Sequence, residues 1–452
     1  MGSMNEVVPS SFGRPPLSRG SDSPRQGVSS RVYQEIKSAL HRDMLAKIDL
    51  EKLRNLQDLR ARQQILAVIQ DLMTQLDTPL SMVEKDRLCR EVLDEVFGLG
   101  PLEPLLQDPT INDILVNTHS AVYVERAGVL EKTGVTFKDQ VHLMHIIDKI
   151  VSAVGRRVDE SSPMVDARLA DGSRVNVIIP PLAVDGPIVS IRRFGTTPLE
   201  AADLLRNVTI TPEILQLLQG AIKARFNIVV SGGTGAGKTT LLNVLSSFIP
   251  DSERIVTIED SAELQLKQHH VVRLECRPAN VEGRGGVKQR ELVVNSLRMR
   301  PDRIIVGEVR SEEALDMLQA MNTGHDGSLT TIHANSPRDA IARMETMAMM
   351  ANLNLPEKAI RQQIASAVAI IIQISRMSDG TRRITHFTEI TGMSEDVVSL
   401  QDIFRFEKRG LGPNNKVLGR FHSTGIVPKF LEKLQASGIA VPMDIYNHSV
   451  DV

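Results

Sequence analysis

Eight consecutive residues, Gly232-Gly233-Thr234-Gly235-Ala236-Gly237-Lys238-Thr239, have the types and spacing of a phosphate cradle. The pattern is Gly, four residues, then Gly-Lys-Thr. Its glycines let backbone N–H groups curl around phosphate oxygens. Lys238 is placed to reach β- and γ-phosphates, and Thr239 to set its hydroxyl on Mg²⁺. Thr240 carries the chain into a helix, whose N-terminus itself favours anions. The flanks agree: Phe226–Val230 reads as a buried strand and Thr240–Phe248 as a helical run. ATP is the expected ligand and Mg²⁺ the expected metal. A guanine-specific Asn-Lys-x-Asp motif is absent, since Asn415-Lys416-Val417-Leu418 lacks the final Asp.

The acids come next. Ile255–Ile258 runs straight into Glu259-Asp260, with Glu263 close by; Ile304–Gly307 runs into Glu308; Ser328–Ile332 runs into His333. Ligands of open α/β sheets bind beyond the carboxyl ends of the strands. Three strand ends therefore converge on the edge that carries the phosphate loop. We expect Glu259 to act as the base for the attacking water and Glu308 as the metal-side acid, through metal-bound waters. The common P-loop pattern has Asp after the third strand; here that residue is Glu308 and no Asp follows the run, so on sequence alone which glutamate is the base and which is metal-side stays open. His325 and His333 are expected to sense the γ-phosphate or couple it to motion; they are too few for a zinc site. Arg168, Arg174, Arg192 and Arg193 lie on the preceding segment. An arginine that reaches a γ-phosphate from another domain would make hydrolysis depend on domain closure.

These groups need elements to hold them. Short apolar runs at Asn227–Val230, Arg254–Ile258, Ile304–Val306, Ser328–Ile332 and Val368–Ile374 alternate with helical segments, which indicates a parallel sheet covered on both faces. This ATPase region is expected over 201–452, with a hairpin at Asp379-Gly380 and a C-terminal helical region. Residues 195–200 read as a linker. Residues 98–194 read as a mixed α+β domain, with strands at 114–116, 121–124, 175–179 and 189–191 and a helix over 141–154. Residues 31–97 read as a small helical bundle, from apolar stripes such as Tyr33, Ile36, Leu40 and Met44 at helical spacing and a capping box at Ser81–Glu84. Residues 1–30, rich in Ser, Pro, Gly and Arg, read as a disordered tail.

Composition narrows the function classes. The 452 residues carry 53 basic and 55 acidic side chains, so a dedicated nucleic-acid binder is disfavoured. Aromatics are 3% with no Trp, which leaves little for base stacking. Two cysteines, Cys89 and Cys276, point to a reducing, intracellular setting. No apolar stretch is long enough to span a membrane.

The motif set resembles the type II/IV secretion ATPases. Arg254–Leu264 is similar to their Asp box, Leu297–Arg310 to their atypical Walker B, and Gly324–Asn335 to their His box. Gly98–Leu106, Ile111–Asn117 and Asp166–Asn176 resemble the N-terminal domain of the CpaF-type ATPases of tight-adherence (Tad) pili. Ser261 stands where type II secretion and retraction relatives commonly have Pro, which favours the Tad and conjugation-like branch. The resemblance implies an α/β fold: a RecA-like P-loop ATPase C-terminal domain and a mixed α+β, PAS-like N-terminal domain. It also implies a cytoplasmic homo-hexamer that hydrolyses ATP to drive Tad or type IV pilus assembly. Its partners would be inner-membrane platform proteins, with membrane contact only through them and no nucleic acid. A conjugation or effector-secretion ATPase is the alternative.

Overall fold

The computed structural model describes residues 30–47, 59–75, 80–126, 128–193, 198–279, 284–351 and 355–452. The expected tail up to residue 29, the apolar positions Ile48, Leu56 and Leu76, and residues 195–197 of the expected linker lie outside the described residues. The chain divides into two compact units after Arg193.

In the first unit, helices α1 (Ser30–Lys47), α2 (Leu59–Thr74) and α3 (Met82–Phe97) bury their apolar stripes in one cluster containing Leu40, Met44, Ile65, Ile69, Leu88 and Val92. Each such side chain contributes roughly 2 kcal/mol by leaving water. α3 starts on the anticipated capping box: Ser81 Oγ accepts from Glu84 N at 3.2 Å, and the Glu84 carboxylate accepts from Ser81 N at 2.8 Å. A six-stranded antiparallel sheet follows. Its strands are β1 (Ile111–Thr118), β2 (Ala121–Arg126), β3 (Val129–Lys132), β4 (Met164–Arg168), β5 (Arg174–Ile178) and β6 (Ile188–Arg192), in the order β3-β2-β1-β6-β5-β4. Ile114, Val116, Val175, Val177, Val189 and Ile191 alternate with less buried residues and bury one face against the helix Gln140–Ala153. β3 and β4 were not anticipated, because their residues are mostly exposed and carry little apolar alternation.

The second unit is built on a ten-stranded sheet. Its strands are β7 (Ile228–Gly232), β8 (Ile255–Glu259), β9 (Val271–Glu275), β10 (Arg303–Val309), β11 (Leu329–Ile332), β12 (Ile370–Arg376), β13 (Arg382–Ser394), β14 (Val397–Leu411), β15 (Val417–Ser423) and β16 (Ser449–Asp451). The spatial order is β16-β15-β14-β13-β12-β7-β11-β10-β8-β9. From β12 to β9 all neighbours are parallel. Successive residues of these strands enter opposite cores. Ile228 and Val230 join one cluster while Val229 joins the other; Ile304 and Val306 oppose Ile305 in the same way. That two-sided burial explains why the strands read as unbroken apolar runs.

The region beyond 376 corrects the expectation of a C-terminal helical region. It is an antiparallel meander, β13 to β16, paired onto β12, with one six-residue α-helix at Leu431–Ala436. Aromatic cross-strand pairs hold it: Phe387 faces Phe404 and Phe406 faces Phe421, with ring centroids 6.3 and 4.8 Å apart. Register shifts between Phe387 and Thr388, Ile390 and Gly392, and Lys408 and Gly410 interrupt the period of two, so no clean alternation shows in the sequence. The expected hairpin at Asp379-Gly380 is present between β12 and β13.

Candidate functional site

β7 delivers the chain to Gly232, and the helix Lys238–Ser246 takes it up. Two glycines are needed for that turn. A Cβ on Gly232 would sit 2.5 Å from the carbonyl oxygen of Ile374, because β12 passes alongside. Gly237 caps the helix at φ 96°, a left-handed conformation that other residues adopt at a cost of roughly 1 kcal/mol or more. Lys238 is the first helical residue and is buried; its Nζ donates to the Gly233 carbonyl at 3.2 Å. Burial pushes its pKa down, opposed by the nearby Glu308 charge. Thr239 and Thr240 follow in the first turn, each partly exposed. Thr234, Gly235 and Ala236 form the crest of the loop, and the Thr234 hydroxyl lies 3.5 Å from His333 Nε2.

The parallel register brings the strand-end groups to that loop. Ile258 pairs with Val306, Val306 with Thr330, and Ile332 with Ser231. Glu259, Glu308 and His333 therefore stand at the carboxyl edge together with Gly232–Lys238. Glu259 is 3% exposed. Its Oε1 accepts from Glu263 N at 2.9 Å and Leu264 N at 3.1 Å, while Oε2 is buried without a hydrogen-bond partner. Burial pushes the carboxyl above its usual range, only partly offset by the two backbone donors. Glu308 is differently placed. Its Oε2 accepts from Arg310 Nη2 at 2.7 Å and Nε at 3.1 Å, and Arg310 Nη1 reaches Asp260 Oδ2 at 2.9 Å. His333 is held below its ordinary value by burial and then by the Lys238 charge, so its ring is neutral near pH 7.

Two arginines escaped the sequence reading. Arg310 follows Glu308 by two positions, just past the end of β10, and that spacing was the available signal. Arg343 lies on the helix Pro337–Met349 and lines a cleft of about 560 Å³ together with Arg310, His333, Asn335 and Asp339. Only the packing of that helix beside the strand ends brings Arg343 there, so no linear signal marked it.

His325 is not brought to this edge, which corrects its pairing with His333. It precedes β11, at the strand's amino end, while His333 follows the carboxyl end. Four strand residues at about 3.3 Å each separate the two by roughly 13 Å. The His325 Nδ1 is buried without a partner, and its carbonyl accepts from Ser328 Oγ at 2.8 Å. The neighbouring amino edge is locked by Arg303, fully buried, whose guanidinium bonds Glu253 at 2.5 and 3.2 Å, Gly327 O at 3.1 Å and Ile222 O at 2.8 Å.

The expected arginines belong to the first unit. Arg168 faces Arg174 across β4 and β5, and Arg174 faces Arg192 across β5 and β6. Arg192 in turn faces Asp113 on β1, with Nε 3.3 Å from its Oδ1. Three arginines thus share one register line on one face. Arg193 instead ties itself to the start of β1 through the carbonyls of Asp108 and Ile111.

Residues 95–403 match the family described as "Type II/IV secretion system protein". A Mycobacterium tuberculosis (strain H37Rv) relative, provisionally named a conjugal transfer protein, is 36% identical over 338 residues, 70% of this chain and 96% of its own. Conjugal transfer protein TrbB of Rhizobium radiobacter is 34% identical, covering 68% of this chain and 91% of its own. Type IV secretion system protein VirB11 of Brucella suis is 32% identical, covering 65% and 89%. The crystal structure of the VirB11 ATPase from the Brucella suis type IV secretion system aligns at 30% identity over 65% of this chain and 97% of that one, with a TM-score of 0.35.

Proposed function

The chain belongs to the type II/IV secretion system protein family, and on that footing we propose that it is a hexameric, cytoplasmic ATPase motor that drives Tad-type pilus assembly through an inner-membrane platform protein. The observation that carries the ATPase reading is the single edge where the Gly232–Lys238 loop, Glu259, Glu308 and His333 meet. The loop's N–H groups and the Lys238 ammonium bind the phosphates of ATP. Glu259, with one oxygen bonded and the other buried without a partner, accepts the proton of the attacking water. His333, neutral and beside Thr234, orients the γ end.

The residues also fit a magnesium ion. Thr239 would offer its hydroxyl, and Glu308 would hold metal-bound water through Oε1, since both bonds from Arg310 fall on Oε2. The ion, when bound, would neutralise charge on the phosphate oxygens. Arg310 holds the Glu308 carboxylate in one orientation through those two bonds.

The arginine line Arg168–Arg174–Arg192 supports a role for the first unit. Their side chains share one face of the sheet, with Arg192 also held by Asp113. We assign them to the phosphates of a nucleotide. Membrane contact is proposed through partners alone; among the described residues no helix is long and apolar enough to cross a membrane. The relatives named for conjugal transfer and type IV secretion favour a second reading, a conjugation or effector-secretion motor with the same chemistry. Co-purification with a pilus platform protein's cytoplasmic domain supports the first reading; capture by a secretion-channel component in its place supports the second.

The chemistry is tested with purified full-length chain. Lys238→Ala is expected to lose tight ATP binding. Glu259→Gln is expected to bind ATP normally and to lose turnover by at least about a hundredfold. Unchanged turnover in Glu259→Gln would remove the base from this residue.

A further inference from the structure

β12 lies directly beside β7, on the flank away from β11, β10 and β8. Ile374 is in register with Gly232, so the two residues after Ile374 continue past the phosphate loop. The second is Arg376. Its Nη1 lies 3.7 Å from the point a Cβ on Gly235 would occupy. The guanidinium is exposed and makes no hydrogen bond or ion pair among the described residues. From the same hairpin, Arg382 Cγ lies 3.8 Å from the corresponding point on Gly237.

The hairpin holding Arg376 is closed by several bonds. Met377 N donates to Thr381 O at 2.7 Å, Gly380 N donates to Met377 O at 3.0 Å, and Arg382 Nη1 donates to Gly380 O at 3.0 Å. Asp379 accepts from Thr381 N at 3.0 Å and from Val417 N at 2.8 Å, which ties the hairpin to β15. A cation without a partner is therefore presented on a fixed support against the outer wall of the loop.

Its flank decides what it meets. Glu259, Glu308 and His333 all stand on the β11–β8 side and mark where the γ-phosphate reacts. The nucleoside end of the same ligand must leave on the other side, towards β12. We propose that Arg376 binds the adenosine-5′-phosphate end of the nucleotide, its planar guanidinium covering the base or its 5′-phosphate. This rests on the nucleotide-site reading above. It assigns Arg376 to affinity rather than to the chemical step, because it touches the part of the ligand that does not change during hydrolysis.

The test is equilibrium binding of AMP, ADP and inorganic pyrophosphate to the full-length chain, with steady-state ATP hydrolysis alongside. Arg376→Ala is expected to weaken AMP and ADP about tenfold and leave pyrophosphate unchanged. KM for ATP should rise by a similar factor at unchanged kcat. Arg206→Ala, an exposed arginine paired with Asp203 elsewhere, should change none of these. Equal loss of pyrophosphate and ADP, wild-type ADP affinity in Arg376→Ala, or a fall in kcat at unchanged KM would each overturn the assignment. Lys238→Ala separates the two levels. If wild type and Lys238→Ala bind all three probes alike, the nucleotide site itself is wrong; if only Arg376→Ala matches wild type, this inference alone fails.

Discussion

At the scale of residues, Glu259 combines 3% exposure with a carboxylate oxygen that has no partner. A buried polar atom in that state costs roughly 1–3 kcal/mol, which a fold tolerates where the atom works. Burial raises the Glu259 pKa, so as the proposed base it would gain a proton, and stop accepting one, at a pH above the ordinary carboxylate range. The acid limb of the kcat profile is expected to sit above about 4.5 and to disappear in Glu259→Gln, whose residual rate should be flat there. A stopped-assay profile from pH 4 to 8 checks this; an acid limb kept in Glu259→Gln assigns it to another group. The place of Glu259 at a strand end was legible because an apolar run ends on it. Its missing partner was not, since that depends on which backbone donors the following loop turns toward Oε1.

At the scale of elements, one carboxylate joins three helices. Glu95 on α3 bonds Lys37 Nζ of α1 at 3.0 Å and His142 Nε2 of the helix Gln140–Ala153 at 2.9 Å. Burial alone would raise its pKa, but His142 and Lys37 outweigh it and hold it down to about 2. A carboxylate depressed in the fold stabilises it above its unfolded value near 4.5 and loses that contribution as pH falls towards 2. The depression corresponds to roughly 3 kcal/mol at neutral pH. Glu95→Gln is expected to lower the melting temperature clearly at pH 7, with the gap to wild type narrowing below pH 4.5 and closing only towards pH 2. A gap that stays constant with pH contradicts the charge-based account. Lys149 completes the junction by donating to the carbonyls of Glu95, Val96 and Gly98 at 3.1, 2.9 and 2.6 Å, which satisfies the end of α3. The helices themselves were legible from three- and four-residue spacing; this joint was not, because its members are far apart in the chain.

At the scale of the whole molecule, the second unit has two cores of its own and contains every group of the phosphate edge. Residues 198–452 are therefore expected to fold alone and bind ADP, yet to hydrolyse ATP at least about a hundredfold more slowly than the full chain, since they lack the arginine line. The double variant Arg174→Ala/Arg192→Ala in the full chain should show the same defect with ADP affinity intact. Full activity in the fragment, or in the double variant, would take the arginines out of the reaction. By itself, the sequence determined the glycine-rich turn between a strand and a helix, the two acids at strand ends and the parallel strands between them. Glycine spacing and unbroken apolar runs are local signals that survive in one dimension. Tertiary structure alone decided the rest. His325 falls on the far edge because parallel strands send their amino ends there. Arg343 joins the site because the helix Pro337–Met349 packs beside the strand ends, and Arg376 meets the loop because strand order makes neighbours of β12 and β7 across a long stretch of chain. The C-terminal segment becomes a meander because cross-strand aromatic pairs form despite bulges that hide their period.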